Sequence, residues 1–184
     1  MGPSMVMPEQ QHSDRLHSRW IISGGFKLKV AVRTAAKHQS SQQPLLILGG
    51  MGASIETLLP VTDALPNRCI VLLDPPGVGQ SSTPHWPINM WEYAGLVVAV
   101  LDQLDYPHVD ILGYSWGGAL AQQIAIQYGA RCQRLVLAVA SAGVFSPAAK
   151  PAVMLKYLNP RRLIQPDYVC QIAGDLYGGT PFAE

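Results

Sequence analysis

Apolar and polar positions fall into short blocks along this chain, and the blocks predict strands separated by helices. Trp20-Ile21-Ile22 and Phe26 to Val32 flank Ser23-Gly24-Gly25, and the second run alternates apolar with polar, which predicts an early hairpin. Pro44 to Leu48 and Cys69 to Leu73 are continuous apolar runs, the pattern of parallel strands buried on both faces. Thr57 to Leu65 between them predicts a short helix. Ile88 to Leu104 sets Ala94, Val97, Val98, Leu101 and Leu104 on one stripe with Pro107 just beyond, which predicts a longer one. Val109 to Tyr114 reads as a strand, Trp116 to Tyr128 as a helix stopped by Gly129, and Leu135 to Ala140 as the next strand. Strands that alternate with helices predict a mostly parallel α/β sheet flanked by helices.

The remaining stretches resist regular structure. Lys37 to Gln43 is polar and predicts a surface loop, and Asp74-Pro75-Pro76-Gly77-Val78-Gly79-Gln80-Ser81-Ser82 carries too many prolines and glycines for helix or strand. From Gly143 onward Pro147, Pro151, Pro160 and Pro166 interrupt short apolar pieces, as in an insertion packed over the sheet. The expected organisation is a disordered tail over 1–19, an α/β core over 20–142 and the start of a cap over 143–184.

Composition narrows the setting. With 184 residues, 48% hydrophobic, 14% charged and a mean hydropathy of +0.15, the chain is long enough for one sizeable core. A net charge of +1 without a basic stripe argues against nucleic acid or an anionic membrane surface as partner. The apolar runs Leu96 to Leu101 and Leu135 to Ala140 are too short to span a bilayer. Glu9, His12, Asp14, Arg15, His17 and Arg19 leave no room for the apolar stretch of a secretory signal. The 3 cysteines, Cys69, Cys132 and Cys170, include no C-x-x-C pair, which fits reduced thiols and no zinc site. A cytoplasmic home is expected.

The chemistry concentrates in Gly113-Tyr114-Ser115-Trp116-Gly117. An apolar strand leads into it and an amphipathic helix leaves it, which is the strand–turn–helix context of a nucleophile elbow. The glycines two before and two after Ser115 are required because side chains there would collide at the sharp turn. Gly49-Gly50-Met51-Gly52 follows the first parallel strand. As a dinucleotide loop it fails, since Ile55 stands where a third glycine belongs. As an oxyanion loop it works, with the backbone N–H groups of Met51 and Trp116 as donors, each capable of contributing roughly 3–4 kcal/mol to a transition state.

The order of these motifs, Gly49 to Ala53, then Asp74 to Ser82, then Gly113 to Ala119, resembles the α/β-hydrolase superfamily. More narrowly, the chain is similar to the intracellular depolymerases of medium-chain-length poly(3-hydroxyalkanoate). That likeness rests on Leu104-Asp105-Tyr106, on Ser115 to Gln123, and on Asn159 to Pro166 with Tyr177-Gly178-Gly179. The resemblance implies a serine ester hydrolase that forms an acyl-enzyme on Ser115, uses no metal or organic cofactor, and takes a hydrophobic ester or the surface of a polyester granule as substrate. Other esterases for small acyl esters share the earlier motifs, and a non-catalytic fragment is the third reading.

The same resemblance exposes a gap. The superfamily triad runs Ser, then Asp or Glu, then His along the chain. Here His12, His17, His38, His85 and His108 all precede Ser115, and the later acids Asp167, Asp175 and Glu184 lie in the cap-like segment. Triad acid and histidine are therefore not expected among these residues, the final strands and helices of the fold are missing, and the sequence reads as C-terminally truncated. Without a base a serine hydroxyl is a weak nucleophile, so the 184-residue chain is expected to be nearly inactive. His85, just after the Asp74 loop, is the one upstream histidine with a geometric claim to substitute. Leu135 to Ala140 is expected to form an unpaired apolar sheet edge through which the chain self-associates.

Overall fold

A computed structural model describes residues 16–34, 42–140, 150–161 and 165–177. The chain divides into two compact units, Met1–Ser141 and Ala142–Glu184. The first holds a 6-stranded sheet in the order β1-β2-β4-β3-β5-β6, made of β1 (His17–Ser23), β2 (Phe26–Arg33), β3 (Leu45–Leu48), β4 (Ile70–Leu73), β5 (Val109–Tyr114) and β6 (Cys132–Ala138). β4, β3, β5 and β6 run parallel, and β1 and β2 are antiparallel additions beside β4. This is the mostly parallel α/β sheet expected from the sequence.

Side-chain alternation splits the core across the two faces. Leu46 and Leu48 of β3 and Val71 and Leu73 of β4 join Val97, Leu101, Leu120 and Ile124, carried by α2 (Met90–Gln103) and α3 (Trp116–Gln127). Their neighbours Ile47, Ile70 and Leu72 point the other way and meet Ile55 and Leu58 of α1 (Ile55–Asp63). Both faces of β3 and β4 are thus covered, which is why these parallel strands carry no polar alternation.

Several boundaries differ from the sequence reading, each for a local reason. β1 begins at His17, so His17, Ser18 and Arg19, assigned to the tail, are strand residues paired with Val32, Ala31 and Val30. The hairpin turn is two residues long, Gly24 and Gly25, both at positive φ. α2 starts at Met90, not Ile88, because Asn89 and Glu92 form a reciprocal capping box with bonds of 2.9 and 3.0 Å. It ends before Asp105, whose φ of 58° breaks the helix. α1 starts two residues before Thr57, and the N–H of Ile55 donates to the buried Asp74 carboxylate at 2.7 Å. β6 starts at Cys132 and stops at Ala138, because Val139 turns to a φ of 51°.

Among the described residues β6 pairs with β5 alone, and Leu135, Val136 and Leu137 are exposed. In the second unit the described elements are α4 (Pro151–Leu158) and α5 (Pro166–Tyr177). No helix among the described residues is long and apolar enough to cross a membrane. The expectations for residues 1–15, for Lys37 to Ser41, for Val144 to Pro147 and for Gly178 to Glu184 lie outside the described residues.

Candidate active site

Ser115 joins β5 to α3 with φ 53° and ψ −118°, a left-handed backbone that a residue with a side chain adopts only under strain. The surroundings hold it there. Its N–H donates to the Ala138 carbonyl of β6 at 3.0 Å, and its carbonyl accepts from Gly118 at 2.9 Å and Ala119 at 3.3 Å. Serine at a helix start usually caps the first turn, yet this side chain makes no capping hydrogen bond. The residue is exposed and stands at the carboxyl end of the parallel strands.

The flanking glycines are required by close approach. A Cβ at Gly113 would stand 2.6 Å from the Gly118 Cα and 2.7 Å from the Ala121 Cβ. One at Gly117 would run into the carbonyl oxygens of Leu48 and Gly49. The elbow is therefore pressed onto the loop after β3. The Cβ position of Gly50 in that loop lies 3.7 Å from the Ser115 Cβ.

Met51 and Trp116, the two residues expected to supply oxyanion donors, line one cavity of about 280 Å³, together with Pro75, Ile88, Met90 and Tyr93. Trp116 opens α3, where the helix itself offers its N–H no acceptor. Tyr93 of α2 packs edge-on against the Trp116 ring, 5.2 Å between centroids at 86°, and its hydroxyl donates to the Pro76 carbonyl at 3.3 Å. Burial pushes the Tyr93 phenol above its usual pKa, so it stays protonated.

Two residues to which the sequence assigned no role shape the site: Tyr93, and Asp74 at the head of the Asp74 to Ser82 loop. Asp74 is fully buried, accepts from the N–H groups of Ile55 at 2.7 Å and Gln80 at 3.0 Å, and so ties the start of α1 to the loop after β4. Its backbone carbonyl accepts the Ser81 hydroxyl at 2.7 Å, and Ser81 in turn accepts the Lys29 N–H at 2.9 Å. The only sequence signal was an acid ending an apolar strand before Pro75-Pro76.

The described histidines stand apart from this arrangement. His85 is exposed beside Trp86, with ring centroids 6.4 Å apart, and is not among the residues lining the cavity. His108 precedes β5 at the end opposite Ser115, with Nδ1 at 2.9 Å from the Ala130 carbonyl oxygen. His17 lies on β1, and His12 and His38 are outside the described residues. Asp167 and Asp175 fall on α5, and Glu184 is outside the described residues. Among the described residues no group of His, Cys, Asp and Glu is placed to hold a metal.

Comparison with known proteins agrees with this fold. The family model of the alpha/beta hydrolase fold matches residues 43–169. The chain belongs to the α/β-hydrolase family. Among curated proteins it is 44% identical over 153 residues to a poly(3-hydroxyalkanoate) depolymerase of Ectopseudomonas oleovorans, covering 83% of this chain and 53% of that one. It is 29% identical to a 2-hydroxymuconate semialdehyde hydrolase of Pseudomonas sp. strain CF600, over 77% of this chain and 50% of the relative. The chain thus spans about half the length of the curated relatives it matches. Among solved structures, a bacterial membrane phospholipase A aligns with a TM-score of 0.72 at 21% identity over 87% of this α/β-hydrolase chain and 51% of its own. The structure of Cfl2 from Burkholderia cenocepacia aligns at 0.68 and 21% identity, over 91% of this chain and 57% of that one. At such identities the structural likeness speaks to the fold.

Proposed function

We propose that the protein hydrolyses neutral aliphatic esters through an acyl-enzyme on Ser115, and that its substrate is a medium-chain poly(3-hydroxyalkanoate). Attack of the Ser115 Oγ on the ester carbonyl forms a C–O bond and an oxyanion, which the N–H groups of Met51 and Trp116 receive. The tetrahedral species collapses with loss of the alkoxide, which takes up the serine proton through a base. Water then cleaves the acyl-serine ester and restores the hydroxyl. The observation that carries this reading is the exposed Ser115 at φ 53°, a strained backbone held beside the Gly50 loop, whose side chain does not cap the helix it begins.

The substrate class rests on the 44% identity to the named depolymerase and on the apolar wall that Pro75, Ile88, Met90 and Trp116 give the cavity. Residues 143–184 are read as the start of a cap domain, and the setting as the cytoplasm at polyester granules.

A comparison of emulsified medium-chain polyester with a soluble acetate ester, using the full-length protein, tests the assignment. Polyester cleavage that exceeds acetate cleavage and vanishes in Ser115→Ala is expected. Faster acetate turnover supports an esterase for small acyl groups, and turnover that survives Ser115→Ala overturns the nucleophile.

A further inference from the structure

Next to the cavity that Met51 and Trp116 line there is a second, narrower space. Its walls include the buried side chains of Leu28, Leu48, Leu73, Val97 and Leu120, and it holds only about 10 Å³ of free space. Pro75, Tyr93 and Trp116 line both spaces and so form the partition between them. Pro75 is backbone-constrained and Trp116 is fixed by its place directly after Ser115. Tyr93 is the member of the partition whose side chain reaches it from another element, α2.

Three contacts hold that ring in place. It stands T-shaped to the Trp116 ring with centroids 5.2 Å apart, its hydroxyl is bonded to the Pro76 carbonyl at 3.3 Å, and it packs on the main core cluster. A rigid aromatic floor beneath an apolar cavity sets how far a straight alkyl chain can enter.

We propose that Tyr93 is the chain-length stop of the acyl site, a specificity-determining residue on which the alkyl portion of the substrate ends. This deepens the ester-hydrolase reading and rests on it. Removing the ring joins the outer cavity to the leucine- and valine-lined void, so longer chains gain buried surface that the wild type denies them.

The test compares the full-length wild type with Tyr93→Ala, Tyr93→Leu and Tyr93→Phe. The first readout is the ratio of kcat/KM for hexadecanoate over octanoate esters of para-nitrophenol. The ratio is expected to rise about tenfold in Tyr93→Ala, what one to two newly buried methylenes give, and to hold in Tyr93→Phe, which keeps the ring. Where Tyr93→Ala fails to fold, Tyr93→Leu carries the same expectation with less lost volume. The second readout is calorimetric binding of octanoic and hexadecanoic acids, which needs no turnover. A wild type with no esterase activity ends the ester-hydrolase reading, while the fatty-acid series still decides the stop. A folded Tyr93→Ala or Tyr93→Leu with unchanged chain-length preference in both readouts overturns the proposal.

Discussion

The Asp74 carboxylate accepts the backbone N–H of Ile55 at 2.7 Å and thereby fixes the helix that follows the Met51 loop. A second oxygen of the same group accepts from Gln80, so one side chain sets the spacing of two loops at the cavity. Asp74→Ala leaves two N–H groups without their acceptor in a buried setting. A loss of about 2–4 kcal/mol in urea unfolding of the full-length protein is expected. A change under about 0.5 kcal/mol would show that water replaces the carboxylate without penalty.

At the elbow, Gly117→Ala drives a methyl group into the Leu48 and Gly49 carbonyl oxygens. Backbone on both sides must separate, which costs about 1–3 kcal/mol and moves Ser115 away from the Gly50 loop. Activity should fall further than stability does, read as kcat on a soluble ester against the melting temperature. Equal activity in the two proteins would mean that the loop gives way freely.

Labelling of the full-length protein by a fluorophosphonate should go to Ser115 and disappear in Ser115→Ala, with ester turnover down roughly 10⁴–10⁶-fold. Ser81 is the informative control. Its hydroxyl already donates to the Asp74 carbonyl and accepts from Lys29. A label found on Ser81, Ser82 or Ser54 by peptide mapping contradicts the assignment.

Acid should weaken one surface link. The hydrogen bond from Lys29 Nζ, 2.9 Å from Glu56, is the main reason the Glu56 carboxyl sits at about 2 instead of 4.5. A carboxylate depressed in the folded state contributes stability above the unfolded value of 4.5, and the contribution is lost as pH falls toward 2. Because Glu56 is half exposed, solvent screening holds the effect below about 1 kcal/mol. Wild type and Glu56→Gln should differ slightly in urea midpoint at pH 6 and converge near pH 2. A gap that persists at low pH would assign the difference to something other than charge.

The exposed Leu135, Val136 and Leu137 on β6 carry no charge or proline that would deter pairing. The 184-residue polypeptide should sediment as oligomers, and Val136→Lys should shift it toward monomer. A monodisperse wild-type chain in analytical ultracentrifugation would remove this expectation.

The sheet was legible because its strands are unbroken apolar runs, such as Ile70 to Leu73, that no amphipathic helix would show. The elbow was legible because Gly113 and Gly117 bracket Ser115 at fixed spacing. What escaped was long-range or geometric. Asp74 finds Ile55 across 19 residues of chain, and nothing local marks the partnership. Tyr93 reads as one more apolar position on a helix until its ring is seen against Trp116. The Asn89 and Glu92 capping box was written in the sequence and passed over in favour of Ile88. The turn at Val139, a β-branched residue at positive φ, runs against local preference and comes from the tertiary setting next to the elbow.

The backbone of Ser115 has a consequence for how this protein can change. Glycine adopts φ 53° without the strain a side chain adds, so Ser115→Gly should melt higher than the wild type, by an increment on the order of 1 kcal/mol. Selection for thermal robustness alone would therefore erode the elbow serine first. Its persistence at that position depends on a benefit other than folding, and a library sorted only for stability should recover glycine at 115 well before it improves the core.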